Sequence, residues 1–253
     1  MRIDWKAPGT FFADSLLLGN GVTGVSVLLK PCLEEIALSH VAFYSGEAPN
    51  HHGREGAPEA FWKSREMSLQ GDHVGAYDAL KGFIGEKENY GTHLPVGTLQ
   101  IEQYLDDCCD YERSLDLVTG TGRCLFRHSG FRQERTVRCL RDGMTTEVSF
   151  KDDTQMNLTI RVVGERIENC QADEQALTFV ARALETIHSN GQCGAVLHGI
   201  IQVEADGLVE PQRDHLHVTG SEILLRIQMV TDEKSCCGVV TDETEETLPL
   251  PKI

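Results

Sequence analysis

The sequence of 253 residues predicts a mainly β protein, a large two-sheet antiparallel sandwich with a short helical insertion around residues 58–85. Three features predict this fold. Apolar and polar residues alternate with a period of two in many short segments, which is typical of strands with one buried face. Gly, Asn and Asp residues separate these segments at short intervals, which favours a sandwich or barrel over a parallel α/β sheet. Helical spacing is confined to one window.

The N-terminal segment, residues 1–49, has the strand pattern. Val25, Val27 and Leu29 alternate with residues of the other face. The sequence Gly19-Asn20-Gly21 lies between two apolar segments, and both residue types tolerate positive φ. We therefore expect a tight reversal there between two antiparallel strands.

The helical insertion follows a polar, turn-rich loop over residues Glu47–Arg54. A first helix is predicted from Pro58 to about Gln70, with the proline in the first turn. Asp72 is the predicted cap of a second helix. Apolar residues then recur at helical spacing up to a stop at Gly85, namely Val74, Tyr77, Leu80 and Ile84.

Strands resume after Leu94 and continue to Thr231. The predicted strands are Thr98–Leu105, Arg113–Thr119, Gly122–His128, Phe131–Leu140, Thr145–Lys151, Asn157–Val163, Ala176–Ala183, Cys193–Glu204, Leu216–Thr219 and Glu222–Thr231. The segment Asp173–Glu185 would also suit a helix. We expect residues 1–232 to form the sandwich domain and the acidic residues 233–253 to be a disordered tail.

Charge and cysteine content exclude some function classes. The net charge of −16 argues against nucleic acid and anionic membrane surfaces, because phosphate binding requires clustered Lys and Arg. No segment approaches the length of a membrane span. The nine cysteines are an odd number without Cys-x-x-Cys spacing, which favours a reducing cytoplasm over a disulfide framework or a zinc site.

Several motifs occur together in a specific order. They are Trp5, Ala7-Pro8, Leu18-Gly19-Asn20-Gly21, Tyr44-Ser45-Gly46, Pro95-Val96-Gly97-Thr98-Leu99 and Tyr111-Glu112-Arg113-Ser114-Leu115-Asp116-Leu117. In this combination the chain resembles the N-terminal domain of family-95 glycoside hydrolases, the α-L-fucosidases and related galactosidases. The resemblance covers roughly residues 5–231.

The resemblance implies a β-sandwich that packs on a helical (α/α)₆ barrel, which carries the catalytic acid and base in that family. No series of long helices follows residue 231, so no catalytic residue can be transferred to this chain. We expect a non-catalytic domain, inactive alone, whose partner is the barrel or a second copy through the equivalent surface. The alternatives are a sugar-binding or assembly module, and an enzyme of unrecognised type that uses His40.

Four residues are candidates for the rim of a substrate pocket: Ser39, His40, Tyr44 and His93. They lie in or beside the family motifs. Ser39-His40 stand where the family usually has Asn-Glu, and His93-Leu94 stand where it has Tyr-Gln. These differences suggest altered or lost sugar contacts.

Other polar groups are assigned to structure or solvent. Glycoside hydrolysis requires two carboxyl groups on opposite sides of the scissile bond. The adjacent pairs Glu34-Glu35 and Asp106-Asp107 are predicted to be solvated instead. His51-His52 are predicted to be loop residues rather than metal ligands, and no cofactor motif is present.

The aromatic residues of the predicted helices have two possible roles. Phe61, Trp62 and Tyr77 could form a platform for a sugar ring. Packing of an amphipathic helix against the core is the favoured interpretation.

Overall fold

The computed structural model describes residues 1–46, 56–81 and 90–232. The described chain is β-rich, with two α-helices and a short 3-10 helix at Phe12–Asp14. The helices are α1 (Ala57–Leu69) and α2 (His73–Leu80). The strands are β1 (Arg2–Trp5), β2 (Leu16–Gly19), β3 (Thr23–Val27), β4 (Leu33–His40), β5 (Tyr44–Gly46), β6 (Tyr90–His93), β7 (Gly97–Gln103), β8 (Cys109–Asp116), β9 (Thr121–His128), β10 (Phe131–Cys139), β11 (Thr145–Val163), β12 (Ile167–Asp173), β13 (Ala176–Arg182), β14 (Val196–Ala205), β15 (Val209–Pro211) and β16 (His215–Thr231).

Fourteen of the strands form one continuous antiparallel sheet that is folded into two layers. The first layer has the order β1-β8-β9-β10-β11-β16-β14-β13-β12. The second layer branches from β11 through β7, β4, β3 and β2. This arrangement is the predicted mainly β, sandwich-like fold, in which hydrogen bonding runs from one layer to the other.

The long strands β11 and β16 connect the layers. The first half of β11 pairs with β10 and the second half with β7. Its ladder to β16 is interrupted between Lys151 and Met156 by a β-bulge. Because bulges bend a strand and increase its twist, this one redirects β11 from one layer into the other. Each of these strands was predicted as two shorter ones, so the predicted breaks at residues 152–156 and 220–221 are wrong.

The core lies between the layers and follows the period-two pattern. β3 and β4 alternate strictly between buried and partly exposed residues. β2 and β3 pair antiparallel around Gly19–Gly24, which confirms the predicted reversal. The ambiguous segment near residue 180 is a strand, β13.

The helical insertion is confirmed, and the cap of α2 is as predicted. The Asp72 carboxylate accepts a hydrogen bond of 2.9 Å from the Gly75 amide. The two helices pack mainly against each other, with Ala57 and Ala76 as their buried residues. The expected core packing of the aromatic residues is wrong, because Trp62 and Tyr77 are 60% and 65% exposed.

Some predicted features fall outside the described residues. They are the loop Glu47–Arg54, the helix end at Ile84-Gly85 and the tail of residues 233–253. Within the described ranges, none of the helices has the length and apolar character needed to cross a bilayer.

Candidate functional site

Three of the four predicted rim residues lie together on the strands that precede and follow the helical insertion in the chain. Tyr44 on β5 and His93 on β6 are cross-strand neighbours, and their ring centroids are 5.2 Å apart in an edge-to-face arrangement. His93 Nε2 donates a hydrogen bond of 3.0 Å to the backbone carbonyl of His40. The structure thus joins the end of β4 to the small β5–β6 sheet.

His40 is buried and is held in one tautomer. Its Nδ1 accepts a hydrogen bond of 3.2 Å from the Ala42 amide, so the neutral ring carries its proton on Nε2. Burial, and then the nearby His93, lower the pKa of His40 below its usual value. The neutral ring is therefore favoured, and His40 is suited to holding the turn after β4.

Ser39 is separated from the other three residues. It precedes His40 on β4 and pairs with Gly24 on β3. Consecutive side chains of a strand point to opposite faces of the sheet. Since His40 points inwards, Ser39 points away from the cluster. The role of these four residues at a pocket rim stays a prediction.

A buried serine at this corner was not predicted from the sequence. Ser45 is 3% exposed, and its hydroxyl donates a hydrogen bond of 2.7 Å to the Glu185 carboxylate. The same hydroxyl accepts a hydrogen bond of 2.8 Å from the Thr92 amide. A backbone bridge between Ser45 and Gly194 adds to this contact. The loop between β13 and β14 is therefore fastened to the β5–β6 sheet.

The close approach of backbones at this corner requires glycine. A Cβ atom on Gly91 would lie 1.4 Å from the Ser45 carbonyl oxygen, and one on Gly194 would lie 1.9 Å from the Ala183 carbonyl oxygen. No larger residue fits without displacement of the backbone. In the sequence, only these glycines and Ser45-Gly46 indicate this contact, and the residues they meet are distant in the chain.

Glu185 remains ionised at this corner. Partial desolvation raises the pKa of its carboxyl group, but hydrogen bonds from the Ser45 hydroxyl and the amides of His188 and Ile187 outweigh it and lower the pKa to about 2. The carboxylate is an anchor for the loop, because its oxygens are occupied by these donors. It is not suited to donate a proton.

The buried carboxyl groups elsewhere in the described chain also bind protein groups. Glu147 lies 2.5 Å from Arg138 and 3.2 Å from Arg226. Asp152 accepts hydrogen bonds of 2.7 Å from His128 and 2.6 Å from Gln133. These arrangements stabilise the sheet and leave neither group poised for acid–base catalysis.

The prediction that Glu34 is solvated is wrong. Glu34 is 1% exposed. Its Oε1 accepts hydrogen bonds of 3.0 Å from the amides of Leu28 and Leu29, while Oε2 has no partner among the described residues. Desolvation raises the pKa of Glu34 to about 7. Asp106 and Asp107 do lie in an exposed turn, as predicted.

No group of three or more His, Cys, Asp or Glu residues able to hold a metal ion occurs within residues 1–46, 56–81 and 90–232. His51 and His52 lie outside those ranges. The cysteines differ in environment. Cys124 is buried, whereas Cys32, Cys108 and Cys109 are exposed.

Comparisons with known proteins identify the domain type. The family model of the glycosyl hydrolase family 65 N-terminal domain matches residues 3–235. A search of the curated proteins finds no match. The family found is family 65, so the expectation of a glycoside hydrolase N-terminal domain is confirmed, and the finer resemblance to family-95 α-L-fucosidases is not shown.

A solved structure shares the fold. It is a protein from human microbiome that is provisionally named as a kojibiose phosphorylase, with a TM-score of 0.50 and 11% sequence identity. The match covers 94% of this chain and 33% of that protein. This chain therefore spans about a third of the length of the solved protein it matches.

Proposed function

Because this chain belongs to the glycosyl hydrolase family 65 N-terminal domains, we propose that it is a non-catalytic domain that packs on a catalytic domain and shapes the edge of its pocket. The reaction is performed by residues of the partner domain. The buried carboxyl groups among the described residues support this assignment, because Glu34, Asp152 and Glu147 form hydrogen bonds or ion pairs with other groups of the sandwich.

The exposed aromatic face of the helical hairpin carries this proposal. Trp62 on α1 and Tyr77 on α2 are both more than half exposed, and so are Leu69 at the end of α1 and Val74 near the start of α2. The Arg65 guanidinium lies 5.7 Å from the Trp62 ring centroid. Aromatic and arginine side chains are enriched at protein interfaces, and clustered exposed apolar residues mark interaction sites. We define Trp62, Leu69, Val74 and Tyr77 as the hairpin face and propose it as the surface that meets the catalytic domain.

The three clustered rim residues lie on the segments that flank this hairpin in the chain. α1 and α2 are inserted between β5, which carries Tyr44, and β6, which carries His93. The hairpin face and these two rings are thus close in the chain, on either side of residues 47–55 and 82–89. We therefore propose that Tyr44 and His93 border the substrate pocket, with His40 as the positioning residue behind them.

The docking test uses this chain and the helical catalytic domain encoded in the same or an adjacent reading frame. We expect the two to form a stable complex by size-exclusion chromatography with light scattering. Trp62→Ser with Tyr77→Ser should weaken the complex at least about tenfold, a loss typical of removing interface aromatic residues. Phe12→Ser is the matched control, because Phe12 is 71% exposed but lies outside the hairpin. Equal affinity of the hairpin variant and the control would refute docking through this face.

The activity test uses the purified chain alone. We expect no turnover of aryl α-L-fucosides, aryl α-galactosides or, with phosphate, kojibiose. Turnover above the buffer rate, abolished by His40→Ala, would instead support an enzyme within this chain. Self-association through the hairpin face is the alternative to a catalytic partner, and the same variants would then convert an oligomer into a monomer.

For the substrate specificity of the whole enzyme, the proposal rests on the sequence motifs Trp5, Leu18–Gly21 and Tyr44–Gly46. They support α-L-fucoside hydrolysis as one candidate. If Tyr44 and His93 border the pocket, Tyr44→Ala should raise KM in the two-domain protein with a smaller change in kcat.

The odd number of cysteines supports the cytoplasm as the proposed compartment.

A further inference from the structure

A second surface feature lies at the opposite end of β4 from the rim residues. It is an open groove of about 620 Å³ on the outer face of the sheet. Its floor follows one cross-strand row, Leu33–Glu102–Thr159–His217. β4 runs from Leu33 at the groove to His40 at the rim, a separation of roughly 23 Å at about 3.3 Å per residue. We call this feature the outer groove.

One wall of the outer groove is an exposed aromatic ring. Tyr104 follows the end of β7 and is 89% exposed. Its ring makes no aromatic or cation–π contact with the described residues. A ring beside a groove offers an apolar face against which the C–H groups of a pyranose can pack, and its hydroxyl can still bond to solvent or ligand.

The floor provides polar groups suited to hydroxyl ligands. The exposed Asn157 amide has no hydrogen-bond partner among the described residues. His217 Nδ1 lies 3.1 Å from Thr159 Oγ1 and its ring meets His215 edge-to-face, while Nε2 has no hydrogen bond to the described residues. Amide and imidazole groups combine donors and acceptors, as a sugar hydroxyl requires.

The charges at the outer groove compensate each other. Glu102 lies 3.3 Å from Arg161, so the carboxylate in the floor is paired. The net charge of −16 also disfavours an anionic ligand. A groove with an aromatic wall, neutral polar groups and balanced charge fits an uncharged, hydroxyl-rich ligand.

We propose that the outer groove binds a neutral oligosaccharide. Tyr104 stacks on one sugar ring, and Asn157 and His217 bind its hydroxyl groups. This function goes beyond docking on a catalytic domain and does not require the hairpin face. It would retain a polymeric or branched substrate near the enzyme.

The test is calorimetric and NMR titration of the full chain with kojibiose, maltotriose and 2′-fucosyllactose. We expect millimolar binding of at least one sugar, with shifts of resonances from residues of the outer groove. Tyr104→Ala should weaken that binding by about tenfold or more, and Asn157→Ala should also weaken it. Tyr104→Phe keeps the ring and should remain within about threefold of the original affinity.

The matched control is Tyr77→Ala, which removes another exposed tyrosine but lies on α2. It should leave sugar binding unchanged while weakening the proposed docking, so the two proposals fail separately. The proposal is overturned if none of the three sugars binds at about 20 mM, or if Tyr104→Ala and Asn157→Ala bind as well as the unchanged chain.

Discussion

At the scale of single residues, the turn between β3 and β4 is organised around one buried carboxyl group. Leu29 has a φ of 57°, a left-handed conformation that costs a non-glycine residue energy. Three of the hydrogen bonds that hold this turn reach Leu28 and Leu29. The Glu34 carboxylate accepts hydrogen bonds from the amides of Leu28 and Leu29. The Tyr111 hydroxyl donates a hydrogen bond of 2.6 Å to the Leu29 carbonyl. Glu34 thus offsets local backbone strain while being itself desolvated.

This environment gives Glu34 a pH-dependent effect on stability. Desolvation raises its pKa from 4.5 to about 7 in the folded chain. Between those values the folded state binds more protons than the unfolded state, so stability falls as pH rises through this window. At 1.36 kcal/mol per pH unit, the effect is at most about 3 kcal/mol.

Glu34→Gln keeps an acceptor for the two amides and removes the titration. We expect its stability relative to the unchanged chain to increase between pH 4.5 and pH 7 by about 1–3 kcal/mol, measured as the free energy of unfolding in urea. Glu35→Gln is the control, because Glu35 is partly exposed and pairs with Lys30 at 3.2 Å. An equal pH dependence in Glu34→Gln and the unchanged chain would show that Glu34 does not titrate in this range.

The sequence could place the rim residues only in part. Tyr44 and His93 meet because β5 and β6 pair across the helical insertion, a contact between residues far apart in the chain. Strand alternation alone indicates that Ser39 and His40 face opposite sides of β4. The Ser45–Glu185 contact could not be predicted, since its partners are 140 residues apart, Ser45 on the three-residue strand β5 and Glu185 on the loop after β13.

At the scale of elements, the regular strands were predictable and the bends were not. The alternation of β3 and β4 is a local pattern, and the structure follows it. The polar sequence Asp152-Asp153-Thr154 has the composition of a loop, yet it lies within β11. Asp152 can remain buried there because His128 and Gln133, 24 and 19 residues away, bind it.

Asp152 should therefore be essential to the bend in β11. In addition to the hydrogen bonds from His128 and Gln133, its carboxylate accepts a hydrogen bond of 2.8 Å from the Thr154 amide within the bulge. Asp152→Ala leaves these buried donors unsatisfied, and we expect a loss of about 2–4 kcal/mol in the free energy of unfolding. Urea unfolding followed by circular dichroism measures it.

The neighbouring residue provides a matched control. Asp153 is exposed and accepts only one described hydrogen bond, 3.1 Å from the Arg132 amide. Asp153→Ala should cost less than about 1 kcal/mol. Similar losses in the two variants would mean that the bulge is fixed by the backbone and by flanking pairs rather than by Asp152.

At the scale of the whole molecule, hydrogen bonding links the two layers through β11 and β16. Both strands contribute to each layer, so neither layer can lose its ladder without disturbing the other. The helical hairpin differs, because α1 and α2 bury few residues and pack mainly on each other. Elements with few buried contacts open at lower free energy than the core. We therefore expect the sandwich to unfold as one unit and the hairpin to unfold earlier.

The two tryptophans allow these events to be separated. Trp5 lies on β1 of the sandwich, beside Arg113 at 5.0 Å, and Trp62 lies on α1. In Trp62→Phe, the fluorescence of Trp5 and far-UV circular dichroism should give the same urea midpoint, as a cooperative unit requires. In Trp5→Phe, Trp62 fluorescence should change at a midpoint lower by about 0.5 M or more. Separate midpoints for Trp5 and circular dichroism would contradict coupling of the layers, and a Trp62 midpoint equal to that of the sandwich would place the hairpin within the cooperative core.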